Sequence, residues 1–237
     1  MGAAGKWIYK SAYNLKKRAE NPTLMGVNFR PAHPSMTLLV NHPDAAKIRE
    51  RLHQNIVLRR LHPEAFDRLA DILVIMDYRK ADVLLSQGAH DMEQYFVLDG
   101  ILKRVVATHE GKEMILRFAQ EDDMDTSYAA WKLHTPAPYS IRAVTKARVA
   151  KLPLPQWAAF LDEYPEIKED FEYEIMHLMS EVMAHTITLH LLDAPGRVHR
   201  FTRKHPDLVD RVPKKELASY LNLSAETLSR LKHAGKI

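Results

Sequence analysis

The stretch VPKKELASYLNLSAETLSRLKHAGKI, residues 212–237, decides how this chain is read. Counting Ala218 as position 5, Leu217, Leu221, Leu223, Leu228 and Leu231 fall at positions 4, 8, 10, 15 and 18. That spacing predicts a helix-turn-helix, two helices crossing at about 90–120° through a turn of roughly 3–4 residues. Ala218 is small where the helices must approach. Asn222 stands where the turn favours Gly, and Asn is the next best residue for a left-handed backbone. Ser224 suits an N-cap, its hydroxyl accepting a backbone N–H near Glu226 or Thr227. With Leu228 and Leu231 inward, Glu226, Thr227, Ser229 and Arg230 face outward near the leading end of the second helix. Arg pairs with guanine O6/N7, Glu accepts from cytosine N4, and Ser/Thr hydroxyls bond bases or phosphates. Lys214, Lys215, Lys232 and Lys236 add charge that would neutralise phosphates. The same pattern also fits a helical hairpin used for protein contact.

Moving toward the amino terminus, PLPQWAAFLDEYP (153–165) reads as a short helix ended near Pro165. A long helix follows. It carries Phe171, Ile175, Leu178, Val182, His185, Leu189 and Leu192 in alternating steps of four and three, as a coiled-coil seam requires. Glu169, Asp170, Glu172 and Glu174 flank this stripe, which predicts a dimerisation helix over 161–194; the alternative is a helix lying on its own core. His185 is read as a register-setting polar residue in the seam rather than a metal ligand. The chain is expected to hinge at Ala194-Pro195-Gly196.

Between 77 and 153 short apolar runs alternate with turn signals. The runs are VLL (83–85), YFVL (95–98), ILKRVV (101–106), EMILRF (113–118) and ARVAKL (147–152). Gln87-Gly88, Asp99-Gly100, Glu110-Gly111 and the Pro136/Pro138 pair separate them, which predicts an antiparallel sandwich, barrel or roll. Asp99-Gly100 fits either a tight hairpin or a bulge. DDMDTSYAAWKLHT (122–135) reads as an interruption holding a short helix. Earlier, 44–60 is helix-permissive, and Pro63 starts a helix over HPEAFDRLADILVIM with Phe66, Leu69, Ile72 and Leu73 on one face. Pro22, Pro31, Pro34 and Pro43 make the first ~45 residues an extension.

Charge is uneven along the chain. Residues 1–30 carry +5 and residues 196–237 carry +6, while 31–195 carries −7, giving +4 overall. Basic ends around an acidic body suggest that the ends meet a polyanion. The absence of cysteine excludes disulfides, thiolate zinc sites, cysteine-held iron–sulfur clusters and thiol nucleophiles. No apolar run reaches the ~18 residues of a membrane span. No signal-peptide core opens the chain, and Lys6 breaks the myristoylation pattern, so a cytoplasmic protein is expected. There is no nucleophile elbow, phosphate-binding glycine loop or carboxylate pair, and Asp122-Asp123 reads as a solvated loop, so no enzyme is expected. The histidines form no H-x-H or H-E-x-x-H pair, and His177, His185 and His190 lack the spacing a single metal wants.

Taken in order, EQYFVLDGILKRV, THEGKEMILRF, IRAVTKARVAKL, the long helix and ELASYLNLSAETLSR resemble the cyclic-AMP receptor/fumarate–nitrate regulator (Crp/Fnr) family of bacterial transcription factors over about 55–237. The resemblance implies a sensor domain like those that bind cyclic nucleotides, a homodimer, and double-stranded DNA as partner, with RNA polymerase as a candidate further partner. Glu226, Ser229 and Arg230 match the E-x-x-S-R recognition pattern of the fumarate–nitrate branch, which implies a TTGAT-like half-site in a palindrome. The cyclic-nucleotide members hold ribose and phosphate with a Gly-Glu pair and an Arg-Ser/Thr step. Here the corresponding positions are Asp125-Thr126 and Ala137-Pro138, so cyclic AMP is expected to bind weakly or not at all.

The expectation is thus an α+β chain. It comprises an N-terminal extension (1–50), an antiparallel β-roll sensor domain (51–160), a dimerisation helix (161–194) and a helix-turn-helix with a short wing (195–237). DNA contacts are assigned to Lys214, Lys215, Ser224, Glu226, Thr227, Ser229, Arg230 and Lys232. An effector pocket is assigned to Asp125, Thr126, Ser127, Tyr139 and Arg142. No metal and no cofactor are expected, haem being the alternative that some relatives suggest. The rival function is a haem- or small-ligand-binding sensor whose output is a protein contact.

Overall fold

The computed structural model describes residues 36–233, the side chain of Lys232 excepted. Its strands are β1 (Met36–Leu38), β2 (Val74–Tyr78), β3 (Val83–Leu85), β4 (Glu93–Asp99), β5 (Leu102–Ala107), β6 (Glu113–Ala119), β7 (Met124–Thr126), β8 (Ser140–Ala143) and β9 (Ala147–Pro153). They form two antiparallel sheets, ordered β1-β2-β9-β4-β7 and β3-β8-β5-β6. From β2 onward every connection except β5–β6 carries the chain across to the other sheet. That winding closes a roll around one core, as the alternation of apolar runs and turns predicted.

The Asp99-Gly100 turn is one of those crossings. It is not a hairpin, because β4 and β5 lie in different sheets, and a register irregularity between Val97 and Asp99 precedes it. Gly100 has φ +88°, and a Cβ there would sit 2.2 Å from the Lys146 carbonyl oxygen. Only glycine fits.

Helices α1 (Ala45–Leu52), α2 (Pro63–Ile72), α3 (Tyr128–Lys132), α4 (Leu154–Glu163) and α5 (Pro165–Leu191) lie against the roll. Trp157 on α4 is fully buried, with Phe96 of β4 at 5.5 Å and Phe171 of α5 at 5.3 Å between ring centroids. Both contacts are edge-on, the arrangement aromatic quadrupoles favour. Beyond α5 come α6 (Ala194–Lys204), α7 (Lys214–Tyr220) and α8 (Ala225–His233). Among the described residues no helix is long and apolar enough to cross a membrane.

Several expectations need correction. The helix begun at Pro63 stops at Ile72, because Val74–Tyr78 pairs residue for residue with β9. The 122–135 segment is strand β7 followed by α3, since Gln94–Phe96 of β4 pairs with Met124–Thr126. The boundary of the N-terminal extension lies earlier than residue 50: β1 pairs with β2, and Leu39, Ile48 and Leu52 are buried in the roll core. The rest of the expected extension, residues 1–35, lies outside the described residues.

The hinge also moves. The helical break falls at Leu192–Asp193, and Pro195 and Gly196 lie in the first turn of α6. Asp193 caps that helix, its Oδ1 accepting the Gly196 N–H at 2.9 Å. Proline is tolerated there because its missing N–H would have had no helical partner.

The largest correction concerns the long helix. Phe171 and Leu178 are buried, and Ile175 packs against the same core; Val182, His185 and Leu189 are half-buried. The stripe read as a dimer seam therefore faces mainly the chain's own body. A second apolar stripe, Tyr173, Met176, Met179, Met183, Ile187 and Leu191, is exposed by 50–77%. At 100° per residue it lies on nearly the opposite side of α5.

Candidate nucleic-acid interface

Strand β5 positions this interface through its period of two. Leu102 and Arg104 point into the roll, while Lys103 and Val105 point out. Val105, with Ile101, Ile115, Phe118 and Val144, joins Val198, Phe201, Leu208, Val212, Leu217, Ala218, Tyr220, Leu221 and Leu228 in a single apolar cluster. The helix-turn-helix thus completes its core on the outer face of the roll. Lys103 Nζ pairs with Glu216 Oε2 at 2.7 Å, and Arg211 with Glu121 at 2.6 Å, at the edges of that contact.

Within the motif, Leu217, Ala218, Leu221 and Leu228 are buried, and Leu223 and Leu231 pack against them. Asn222 adopts φ +52°, the left-handed conformation its position predicted. Ser224 Oγ accepts the Thr227 N–H at 3.0 Å, and the two hydroxyls are 2.9 Å apart. Arg197 of α6 clamps the turn from behind, donating to the carbonyls of Leu221 (3.2 Å) and Asn222 (3.5 Å). Its charge serves the backbone here, which the sequence reading missed. A basic residue just after a helix cap is the signal that could have found it.

Glu226, Ser229 and Arg230 are exposed along α8; Thr227 is half-buried because its N–H and hydroxyl belong to the cap. Ser229 shares its hydroxyl with His233 Nδ1 at 3.5 Å. Lys214 and Lys215 are exposed at the start of α7. Lys236 and the Lys232 side chain lie outside what is described, as does the expected wing.

His185, read as a seam residue, packs against its own chain. Its ring stacks on Tyr220 of α7 at 3.8 Å and an interplanar angle of 5°, joining the long helix to the motif. Burial pushes its pKa down to about 4, with Lys204, His205 and Arg200 adding repulsion. Neutral at pH 7, it stacks without a charge penalty. Lys204 of α6 pairs with Glu181 of α5 at 2.9 Å and fixes the same corner.

The residues expected to form an effector pocket are only partly gathered. Asp125, fully buried, is bonded by Arg104 Nε at 2.7 Å and lies 3.5 Å from Arg117. Arg104 also donates to the Thr126 carbonyl at 3.2 Å, and Tyr139 donates to the same oxygen at 2.7 Å. The Arg104 guanidinium lies 4.8 Å from the Tyr139 ring centroid. Ser127 is buried beside them. Arg142 departs from the set, reaching Glu113 at 2.5 Å on the roll surface, because β8 turns it away from Tyr139. Arg104 and Arg117 were missed, although alternation with Leu102 already marks Arg104 as inward-facing.

A β-roll of the cyclic nucleotide-binding kind, continued by a long helix and a helix-turn-helix, defines the class. Residues 75–164 match the cyclic nucleotide-binding domain family. The chain is 21% identical over 167 residues to the cAMP-activated global transcriptional regulator CRP of Salmonella typhimurium, covering 66% of this chain and 80% of that one. Its fold is similar to FixK2 from Bradyrhizobium japonicum, with TM-score 0.60 and 16% identity over 69% of this chain and 86% of that one. It is also similar to CLP of Xanthomonas campestris, a c-di-GMP responsive regulator, with TM-score 0.60 and 15% identity over 73% and 92% of the two chains. Residues 75–164 thus match a cyclic nucleotide-binding domain, and over 66% of its length the chain is similar to a cAMP-activated transcriptional regulator.

Proposed function

We propose that this chain is a cytoplasmic, sequence-specific DNA-binding transcription regulator that works as a homodimer on a palindromic site. The observation that carries the reading is α8: a serine-capped helix that leaves Glu226, Ser229 and Arg230 exposed, with Lys214 and Lys215 exposed at the start of α7. Arg230 reads a guanine edge, Glu226 a cytosine amine, and Lys214 and Lys215 neutralise backbone phosphates. The exposed stripe of α5 is where the second subunit packs, because a helix apolar on two opposite faces needs two partners.

Cyclic AMP is not the effector in this reading. The buried Asp125–Arg104 pair supports that view: a cyclic phosphate entering there would meet a carboxylate that already holds the nearest guanidinium. No cofactor is required, and freshly purified protein is expected to lack a Soret band. Electrophoretic mobility shift at two salt concentrations tests the reading. Retardation that weakens steeply with salt is expected, whereas a protein-contact module would leave the duplex unshifted.

A further inference from the structure

We propose that Met176, Met179 and Met183 form an oxidation site through which hydroperoxides dissociate the subunits. The inference rests on the reading that the exposed stripe of α5 is the dimer seam. These three residues are exposed by 62%, 55% and 65% and lie together on that stripe. The chain has no cysteine, so its sulfur chemistry with oxidants falls to methionine. Met92 and Met124 are buried at 4% and 3% and are shielded, while Met36 and Met114 are exposed but lie on the roll.

The step balances without a further reactant. A thioether lone pair attacks one peroxide oxygen, the S–O bond forms and the O–O bond breaks. A proton passes to the departing oxygen, which leaves as water from hydrogen peroxide or as an alcohol from an organic hydroperoxide. Sulfur is oxidised by two electrons and the peroxide reduced by two. The product sulfoxide is polar, so re-forming the seam would bury an S=O group among apolar neighbours. In the dimer the sulfurs are covered, and oxidation therefore proceeds through the dissociated subunit and speeds up on dilution. Each oxidation weakens that subunit's return to the dimer until a methionine sulfoxide reductase restores it.

The test treats the full chain with hydrogen peroxide, maps sulfoxides by peptide mass spectrometry, and measures the dimer dissociation constant by sedimentation. We expect sulfoxide at Met176, Met179 and Met183, formed faster in dilute protein, and dimerisation weakened by about tenfold or more. Replacing all three by Leu (Met176→Leu, Met179→Leu, Met183→Leu) is expected to keep the dimer and remove the sensitivity. A Met36→Leu, Met114→Leu control should stay sensitive. A dimer that persists with the three sulfoxides formed, or a triple variant as sensitive as the parent, overturns the proposal. Untreated protein that is monomeric overturns the dimer reading beneath it.

Discussion

Gly100 and Arg230 show two ways a single residue answers to this structure. At Gly100 the backbone crosses between sheets at positive φ, with the Lys146 carbonyl where a side chain would start. Gly100→Ala is expected to cost roughly 1–3 kcal/mol or more, read as a lowered urea midpoint, and an unchanged midpoint would contradict the crossing. Arg230 is fully available, so Arg230→Ala should leave stability unchanged. It should cost about 1–3 kcal/mol on specific DNA and relax one base preference; equal loss on random duplex would deny it a base contact. His185 carries a pH dependence. It titrates at about 4 in the folded chain against 6.5 ordinarily, so the unfolded chain binds more protons between those values. Stability therefore falls as pH drops from about 6.5 toward 4, with no change from this group above that window. His205, also lowered by burial, acts in the same direction. His185→Phe keeps a ring against Tyr220 and should flatten part of that fall in melting curves.

At the scale of elements, the two faces of α5 separate what one apolar stripe cannot. Leu178→Ala is expected to destabilise the fold by about 2–5 kcal/mol while the protein remains dimeric. Ile187→Glu, on the other face, should leave the fold intact and produce monomers, seen by light scattering. The reverse outcome would restore the seam first read from the sequence. Periodicity reports that a face is buried and not what buries it, which is why the 171–192 stripe reads equally as a seam or as a face on its own core. Phe171 and Leu178 answer to α4 and the roll, whereas the Met-rich stripe carries weaker hydrophobic contrast and was passed over. By the same logic β2 was absorbed into the preceding helix, because ILVIM is apolar without a break. Strand β7 was hidden by Asp125, which Arg104 and Arg117 neutralise from β5 and β6. The helix-turn-helix was legible almost to the residue, since its Asn222 turn and Ser224 cap are local devices.

For the whole molecule, the shared cluster between the roll and the helix-turn-helix is what would link sensing to DNA in the proposed function. None of it could be read from the sequence, because Lys103 and Glu216 meet only after both units have folded. An effector that alters the roll would act by shifting how the motif is held on β5 and β6, a population shift about the Leu192–Asp193 break. Calorimetry with cyclic AMP is expected to give no binding isotherm; a micromolar dissociation constant would show that the Asp125–Arg104 pair opens.

Selection of bound duplexes from a random pool with the full chain, followed by sequencing, probes the recognition helix directly. An inverted repeat is expected, its half-sites about one helical turn apart and its preference at one base lost in Arg230→Ala. A pool that emerges without an enriched repeat, or an identical repeat from the Arg230→Ala protein, would contradict the assignment of α8 as the element that reads DNA.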